Sequence, residues 1–437
     1  MAKPAATIMP ANGRRNQLLT DDRAVHDWYR FVLSFPPHLV RSYLDKFGVT
    51  RHQRVLDPFC GTGTTMVECR KHGIPSVGVE ANPMAYFASR VKMDWRPDPD
   101  ALLSHAEKVS EVALKQLTAD GIDEDDFFRA PRKAPRNLRT LPAEQAALLL
   151  RDSISPLPLH KALVLREAIE KRRDVSFRDH ERLAFAKVVV ESASNLHFGP
   201  EVGVGEKKPD APVVYPWLKS VADISRDLRE LREFASVPAE VHGADARDID
   251  LFLEPESVDA VITSPPYPNE KDYTRTTRLE SVLLGLVQTK DDLRRLKQSL
   301  VRSNTRGVYV GDEDHRWVSG HPEVQRIAEA IETRRKELGK TSGFERQYAR
   351  LTKLYFGGMA RHFAGLRRVL RPGARLAYVV GDQASYLRVM IRTGKILGEI
   401  AESLGYEVIG RDLFRTRLST TTREQLREEV LILRWPG

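Results

Sequence analysis

Arg54-Val55-Leu56-Asp57-Pro58-Phe59-Cys60-Gly61-Thr62-Gly63-Thr64-Thr65 is the stretch that decides the fold. A short apolar run ends in a glycine-punctuated turn. The turn opens into a helix that the spacing predicts from Thr64 to His72, stopped by Gly73. Beyond it, Ser76-Val77-Gly78-Val79-Glu80 reads as a second strand and Pro83 to Val91 as a second helix. Strand, helix, strand, helix in this order predicts an α/β protein with a parallel sheet and helices on its faces. On the N-terminal side, Val25 to Phe47 carries a helical pattern broken at Phe35-Pro36-Pro37, after a polar arm over the first twenty residues.

The alternation stops from Pro97 to Glu233, where the pattern is helical and charged. A basic loop is predicted at Arg129–Arg139 and a Gly/Pro-punctuated loop at Gly199–Pro212. Strands resume at Ala239–His242 and at Val258-Asp259-Ala260-Val261-Ile262. A second helical, loop-rich interruption runs from Leu279 to Gln347. Strand patterns return at Ala374–Val380, Tyr406–Ile409 and Val430–Leu433. The expectation is one sheet domain with two insertions. Residues 1–96 are the N-terminal arm and first half of the sheet core, 97–235 a helical insertion, 236–278 a second core segment, 279–350 a second insertion and 351–437 the C-terminal part of the core.

The chain has 437 residues, with 69 Lys and Arg against 60 Asp and Glu. Its 41% hydrophobic content is enough to bury a core and excludes a disordered chain or a collagen-like fibre. Cys60 and Cys69 are the only cysteines, which excludes a disulfide framework and a cysteine-rich zinc site; no metal is expected. No apolar run reaches the roughly 18 residues of a membrane span, and the N-terminus lacks a secretory pattern, so a cytoplasmic protein is expected. The positive charge is concentrated. Arg129–Lys187 holds 14 basic and 7 acidic residues, and Met359–Lys395 holds 8 and 1. Two such segments on a near-neutral background can line a groove for phosphates or form two solvated helix faces.

Two motifs carry chemistry. In Asp57–Thr65, Gly61 and Gly63 let a ligand approach the backbone closely, and the helix that follows presents free N–H groups. Glu80, at the end of the second strand, is placed to accept hydrogen bonds from ribose hydroxyls. A nicotinamide dinucleotide fits poorly, because Met66 stands where the third glycine of its fingerprint belongs and Asp57 would repel a pyrophosphate. The second motif, Thr263-Ser264-Pro265-Pro266-Tyr267, follows a predicted central strand. Its prolines fix an extended backbone with free carbonyls. Serine on one side and tyrosine on the other make a flat polar slot suited to a planar base with an exocyclic amine.

Together these residues resemble the DNA amino-methyltransferases of restriction-modification systems, which methylate cytosine N4 or adenine N6 from S-adenosylmethionine. The resemblance spans residues 25–94, 239–280 and 355–435. It implies a Rossmann-like methyltransferase fold, with a mostly parallel seven-stranded sheet, a C-terminal antiparallel strand and helical insertions. It also implies that Asp57, Pro58, Phe59, Cys60, Gly61, Gly63, Thr64 and Thr65 form the cofactor loop. Glu80, with Ala81, binds the ribose; Asp245, with Ala246, binds the cofactor adenine; Pro37 belongs to a segment closing over the methionine end. Ser264, Pro265, Pro266 and Tyr267 grip a base flipped out of double-stranded DNA.

Serine at the first position is similar to the cytosine-N4 members, and adenine N6 stays as the alternative. A cytosine-C5 enzyme needs a cysteine after a proline here, and none is present. The 97–233 insertion is the first candidate for sequence readout, and 279–347, with Arg302, Asn304, Arg306 and His315, the second. An RNA base methyltransferase and a catalytically inactive nucleic-acid-binding subunit are the rival readings. Whether a restriction endonuclease acts separately beside it, and whether the chain is monomer or dimer, are left open.

Overall fold

The computed structural model describes residues 18–30, 34–124, 137–172, 174–199, 201–418 and 425–437. The polar N-terminal arm up to residue 17, the apolar positions 31–33, and the predicted basic loop from Arg129 to Arg136 lie outside them. The helical pattern expected from Val25 to Phe47, broken at Phe35-Pro36-Pro37, is α1 (Pro37–Phe47) after the break; before it lie two short 3₁₀ turns, Thr20–Asp22 and His26–Trp28. The reason is local. Val25 takes a positive φ of 67°, which ends any helix there, and Pro37 suits the first turn of a helix but not its interior.

The core then runs β1 (Val55–Asp57), α2 (Thr64–Lys71), β2 (Ser76–Val79) and α3 (Pro83–Lys92). The first insertion carries α4 (Pro99–Ala119), α5 (Ala143–Ala146), α6 (Pro156–Glu170), α7 (Arg178–Val188), β3 (Leu196–Phe198), β4 (Val202–Val204) and α8 (Val214–Glu230). Core elements β5 (Ala239–His242) and β6 (Val258–Thr263) follow, then α9 (Tyr273–Thr276), α10 (Arg278–Leu283), α11 (Lys290–Ser299), α12 (Pro322–Glu337) and α13 (Tyr348–Val369). The chain closes with β7 (Leu370–Gly381), α14 (Thr393–Ser403), β8 (Glu407–Leu418) and β9 (Gln425–Arg434). The expected loop at Gly199–Pro212 contains β4, which pairs antiparallel with β3 in a separate two-stranded sheet. Each strand of this hairpin is only three residues long, too short a run for its alternation to stand out in the sequence.

The main sheet has seven strands in the order β5-β2-β1-β6-β7-β9-β8. All pairings are parallel except those of β9, which runs antiparallel to both β7 and β8. This is the expected Rossmann-like methyltransferase arrangement. β7, β8 and β9 are longer than their apolar patterns. Along β8, exposed charged residues such as Arg411 and Arg417 break the hydrophobic run, and edge pairing with β9 continues regardless.

The inner strands are buried on both faces. Leu56, Val261, Leu376, Tyr378 and Leu431 face one apolar cluster with α12, α13 and α14. Val55, Ala260, Ile262, Ala377 and Val430 face a second cluster with α1. This is the period-2 alternation of a sheet covered on both sides. A third cluster joins Val25, Trp28 and Tyr29, helices α2 and α3, and the helices of the first insertion. Met66 illustrates how close packing is achieved without the third glycine. Its Sδ sits where a Cβ on Gly78 of β2 would approach to 2.2 Å, so the glycine that admits the helix is on the strand. Among the described residues no helix is long and apolar enough to cross a membrane.

Candidate active site

β1 and β6 are neighbours, yet the chain leaves them in opposite directions, to β2 and β5 on one side and β7 on the other. A crevice opens at the carboxyl ends of strands at such a switch point. There lies a cavity of about 290 Å³ that brings both motifs together. Of the sequence-predicted residues, Pro58, Phe59, Cys60, Gly61, Thr64, Glu80, Ala81, Asp245, Ala246, Ser264, Pro265, Pro266 and Tyr267 line it.

Four others do not. Asp57 is fully buried behind the wall, where its Oδ1 accepts from Thr263 Oγ1 at 2.6 Å and from the Phe59 N–H at 3.1 Å. It therefore ties the end of β6 to the turn after β1. Burial raises its carboxyl to about 6, against those hydrogen bonds. Thr65 is buried too, donating from Oγ1 to the Ile262 carbonyl at 3.0 Å. Gly63 holds a φ of 86° at the start of α2, the left-handed conformation that glycine adopts freely. Pro37 lines a smaller adjoining cavity, which shares Ser34, Phe35, Thr62 and Thr64 with the main one.

Glu80 follows β2. Its Oε2 accepts from the Gly61 N–H at 2.9 Å and its Oε1 from the Asn82 N–H at 2.7 Å. These bonds fix the carboxyl at the cavity wall, while burial lifts it to about 7. Asp245 caps the 3₁₀ turn Ala246–Leu251 by accepting from the Arg247 N–H at 2.9 Å. The Arg247 guanidinium returns to the same carboxylate at 2.5 Å and reaches Asp314 of the second insertion at 2.5 Å. Behind them, His362 of α13 bonds the Ala246 carbonyl through Nδ1 at 2.8 Å, accepts from the Tyr378 hydroxyl at 2.7 Å through Nε2, and packs edge-on to Phe59. Burial lowers its pKa to about 4, so it braces both cofactor segments as a neutral ring.

At the other end, Ser264 Oγ donates to the Val379 carbonyl at 3.3 Å. The Tyr267 hydroxyl donates to Glu428 of β9 at 3.0 Å, and Arg415 of β8 pairs with the same carboxylate. The ring lies against Gly381, where a Cβ would come within 3.1 Å of it. The segment after the tetrapeptide is clamped by the second insertion. The Glu270 N–H donates to the Ser303 carbonyl at 3.0 Å, Ser303 and Asn304 side chains donate to the Lys271 carbonyl, and Asp272 pairs with Lys297 at 2.9 Å. Ser299, Leu300 and Val301 line the cavity, whereas no described residue between 97 and 235 does.

Sequence reasoning missed Arg247 as a partner of Asp245, and His362, Arg415, Arg417 and Glu428 altogether. Arg247 stands in the quoted Gly243–Arg247 run and carried a signal, a cation two residues after a capping aspartate. The others are isolated polar residues on strands or a helix far along the chain.

Among the described residues no cluster of His, Cys, Asp or Glu suits a metal ion. The donor set does suit a nucleoside. Carboxylates at Glu80 and Asp245 can accept from hydroxyl and amine groups, and Phe35, Phe59 and Ala85 offer apolar walls.

No protein-family model matches the chain. Type II methyltransferase M.BsoBI of Geobacillus stearothermophilus is 25% identical over 416 residues, 89% of this chain and 80% of that protein. Type II methyltransferase M.AvaI of Nostoc sp. is 24% identical over 453 aligned positions, 94% of this chain and 86% of that protein. Type II methyltransferase M.MjaII of Methanocaldococcus jannaschii is 36% identical over 70 residues, 16% of this chain and 13% of that protein. Among solved structures, TrmN from Thermus thermophilus covers 94% of this chain and 52% of its own at 13% identity, with a TM-score of 0.27, too slight a likeness to carry weight. Along almost its whole length the chain matches type II methyltransferases.

Proposed function

We propose that this relative of the type II methyltransferases transfers a methyl group to the exocyclic N4 of cytosine in duplex DNA, as the modifying half of a restriction-modification system. S-adenosylmethionine is the methyl donor; it supplies a methyl group activated by a sulfonium. The observation that carries the proposal is the single cavity in which the Gly61–Glu80–Asp245 wall faces Ser264–Tyr267. The near full-length similarity to two type II methyltransferases supports it independently.

The work of the protein is positioning. Glu80 accepts the ribose hydroxyls and Asp245 the adenine amine, while Asp57 holds the loop from behind. The exocyclic amine of cytosine is a poor nucleophile because its lone pair is delocalised into the ring. Ser264 has committed its proton to the Val379 carbonyl, so its lone pairs are free to accept an N–H from the base. The Pro265 carbonyl accepts the other. Two acceptors favour a pyramidal nitrogen whose lone pair points at the methyl carbon, about 3–3.5 Å away for in-line attack. A donor held at Glu80 and Asp245 would give up its methyl group to the nitrogen with cleavage of its S–C bond and keep the electron pair as a thioether, and the N–H proton would leave to water. Tyr267 replaces the stacking lost when the base leaves the duplex.

Ser264→Ala tests this. Turnover falls on the order of 10²-fold, by analogy with the loss of one transition-state hydrogen bond, while donor affinity measured by calorimetry stays unchanged. Equal loss of both marks Ser264 as structural. The serine carries the lean to cytosine; adenine N6 uses the same acceptors and is the second outcome to be looked for.

A further inference from the structure

Resting on that reading, we propose that Lys271 and Arg417 form a phosphate-binding site at the target end of the cavity, gripping a DNA phosphodiester beside the flipped nucleotide. Both side chains line the cavity, on opposite supports: Lys271 on the segment after the tetrapeptide, Arg417 on β8.

Both are held in place by hydrogen bonds. The Lys271 backbone is pinned by Ser303 Oγ at 3.2 Å and Asn304 Nδ2 at 3.1 Å, both donating to its carbonyl. Arg417 donates to Gln383 Oε1 at 3.2 Å, and Gln383 is buried, with its N–H and carbonyl both exchanged with Ile391. The charges around them are already matched. Asp272 belongs to Lys297, and Glu428 to Arg415. Among the described residues no carboxylate forms an ion pair with Lys271 or Arg417.

Half-burial disfavours the Lys271 ammonium, Arg417 repels it, and only Glu201, beyond ion-pair range, favours it. A half-buried ammonium facing a guanidinium gains from an anion that enters between them. A phosphodiester has the right charge and brings two acceptor oxygens, which suit an ammonium on one side and a guanidinium on the other. The site also sits where the strand must pass if Tyr267 stacks on the extruded base. Phosphate contacts set register without reading sequence, so this grip is separate from whatever surface recognises the target.

The test is the salt dependence of kcat/KM for methyl transfer to unmethylated duplex DNA of mixed sequence, which needs no known target. Each phosphate contact contributes about 0.9 to the slope of log(kcat/KM) against log[salt]. Lys271→Gln and Arg417→Gln should each make the slope shallower by about 0.9, and the double variant by about 1.8. Raising KCl from about 50 to about 200 mM then inhibits each single variant about 3-fold less than wild type. Lys271→Arg should retain most of the wild-type slope, and donor affinity should be unchanged throughout. Wild-type slopes in both glutamine variants overturn the proposal. A slope change seen only with an RNA substrate assigns the phosphate to RNA and overturns the DNA partner. Wild-type protein that binds the donor yet methylates no DNA overturns the functional reading itself, a result distinct from an unchanged slope.

Discussion

At one end of the cavity the charged side chains are carboxylates, Glu80 and Asp245, with Asp57 buried behind them; at the other they are the cations Lys271, Arg415 and Arg417 against a single Glu428. The ligands proposed for the two ends are opposite in the same sense. S-adenosylmethionine carries a sulfonium and an amino group against one carboxylate, and a DNA strand carries a phosphate at every nucleotide. One crevice at a switch point can therefore hold both without exchanging them, because each end repels the other's ligand.

The contrast can be broken at the acidic end first. Glu80→Gln removes a charge-assisted acceptor, worth about 1.5–3 kcal/mol, so donor affinity should fall on the order of 10- to 100-fold while kcat at saturating donor changes little. The pH dependence sharpens this. Glu80 titrates at about 7, so donor binding should tighten as pH rises through 7 and the carboxylate ionises, and Glu80→Gln should abolish that rise. The sign reverses for the empty fold. A carboxyl raised above its unfolded value of about 4.3 contributes stability that is present below that pH and lost as pH rises through 7. Thermal melts of the donor-free protein should show the loss reduced in Glu80→Gln. An unchanged donor Kd in this variant would separate Glu80 from the cofactor.

The basic end yields smaller effects. Tyr267→Ala should cost about 1–3 kcal/mol in kcat/KM for DNA through lost stacking. Tyr267→Phe keeps the ring and loses only the bond to Glu428, about 1 kcal/mol. If Glu428 acts by holding that hydroxyl, Glu428→Ala should matter less in the Tyr267→Phe background than in wild type, a coupling that a double-mutant cycle measures. Additive losses would mean that Glu428 and the tyrosine hydroxyl work independently.

The two ends also differ in how far the sequence revealed them. Asp57 to Glu80 lies within one β-α-β unit, where glycine spacing, strand pattern and terminal carboxylate are local features. That is why the acidic end and the parallel core were legible. Asp57, Gly63 and Thr65 do not line the cavity, and Asp57 is held behind the wall by Thr263, more than two hundred residues away. The basic end is assembled from β8, β9, the segment after β6 and the chain after α11. Glu428 reaches Tyr267 across 161 residues, and nothing near Glu428 in sequence distinguishes it from a surface charge on an edge hairpin. The insertions behaved alike for the same reason. Charge makes 97–233 the first candidate for sequence readout; the fold packs this insertion against α2 and α3, and the chain after α11 lines the cavity. Composition records how many charges a segment holds and not which face of the fold it meets.

The most direct test of the central claim is the identity of the product. Protein incubated with methyl-labelled S-adenosylmethionine and unmethylated duplex DNA, followed by digestion to nucleosides, should place the label in N4-methylcytosine. Label in N6-methyladenine would contradict the choice of base, and label absent from DNA but present in an RNA control would contradict the claim that the basic end of this cavity receives a DNA strand.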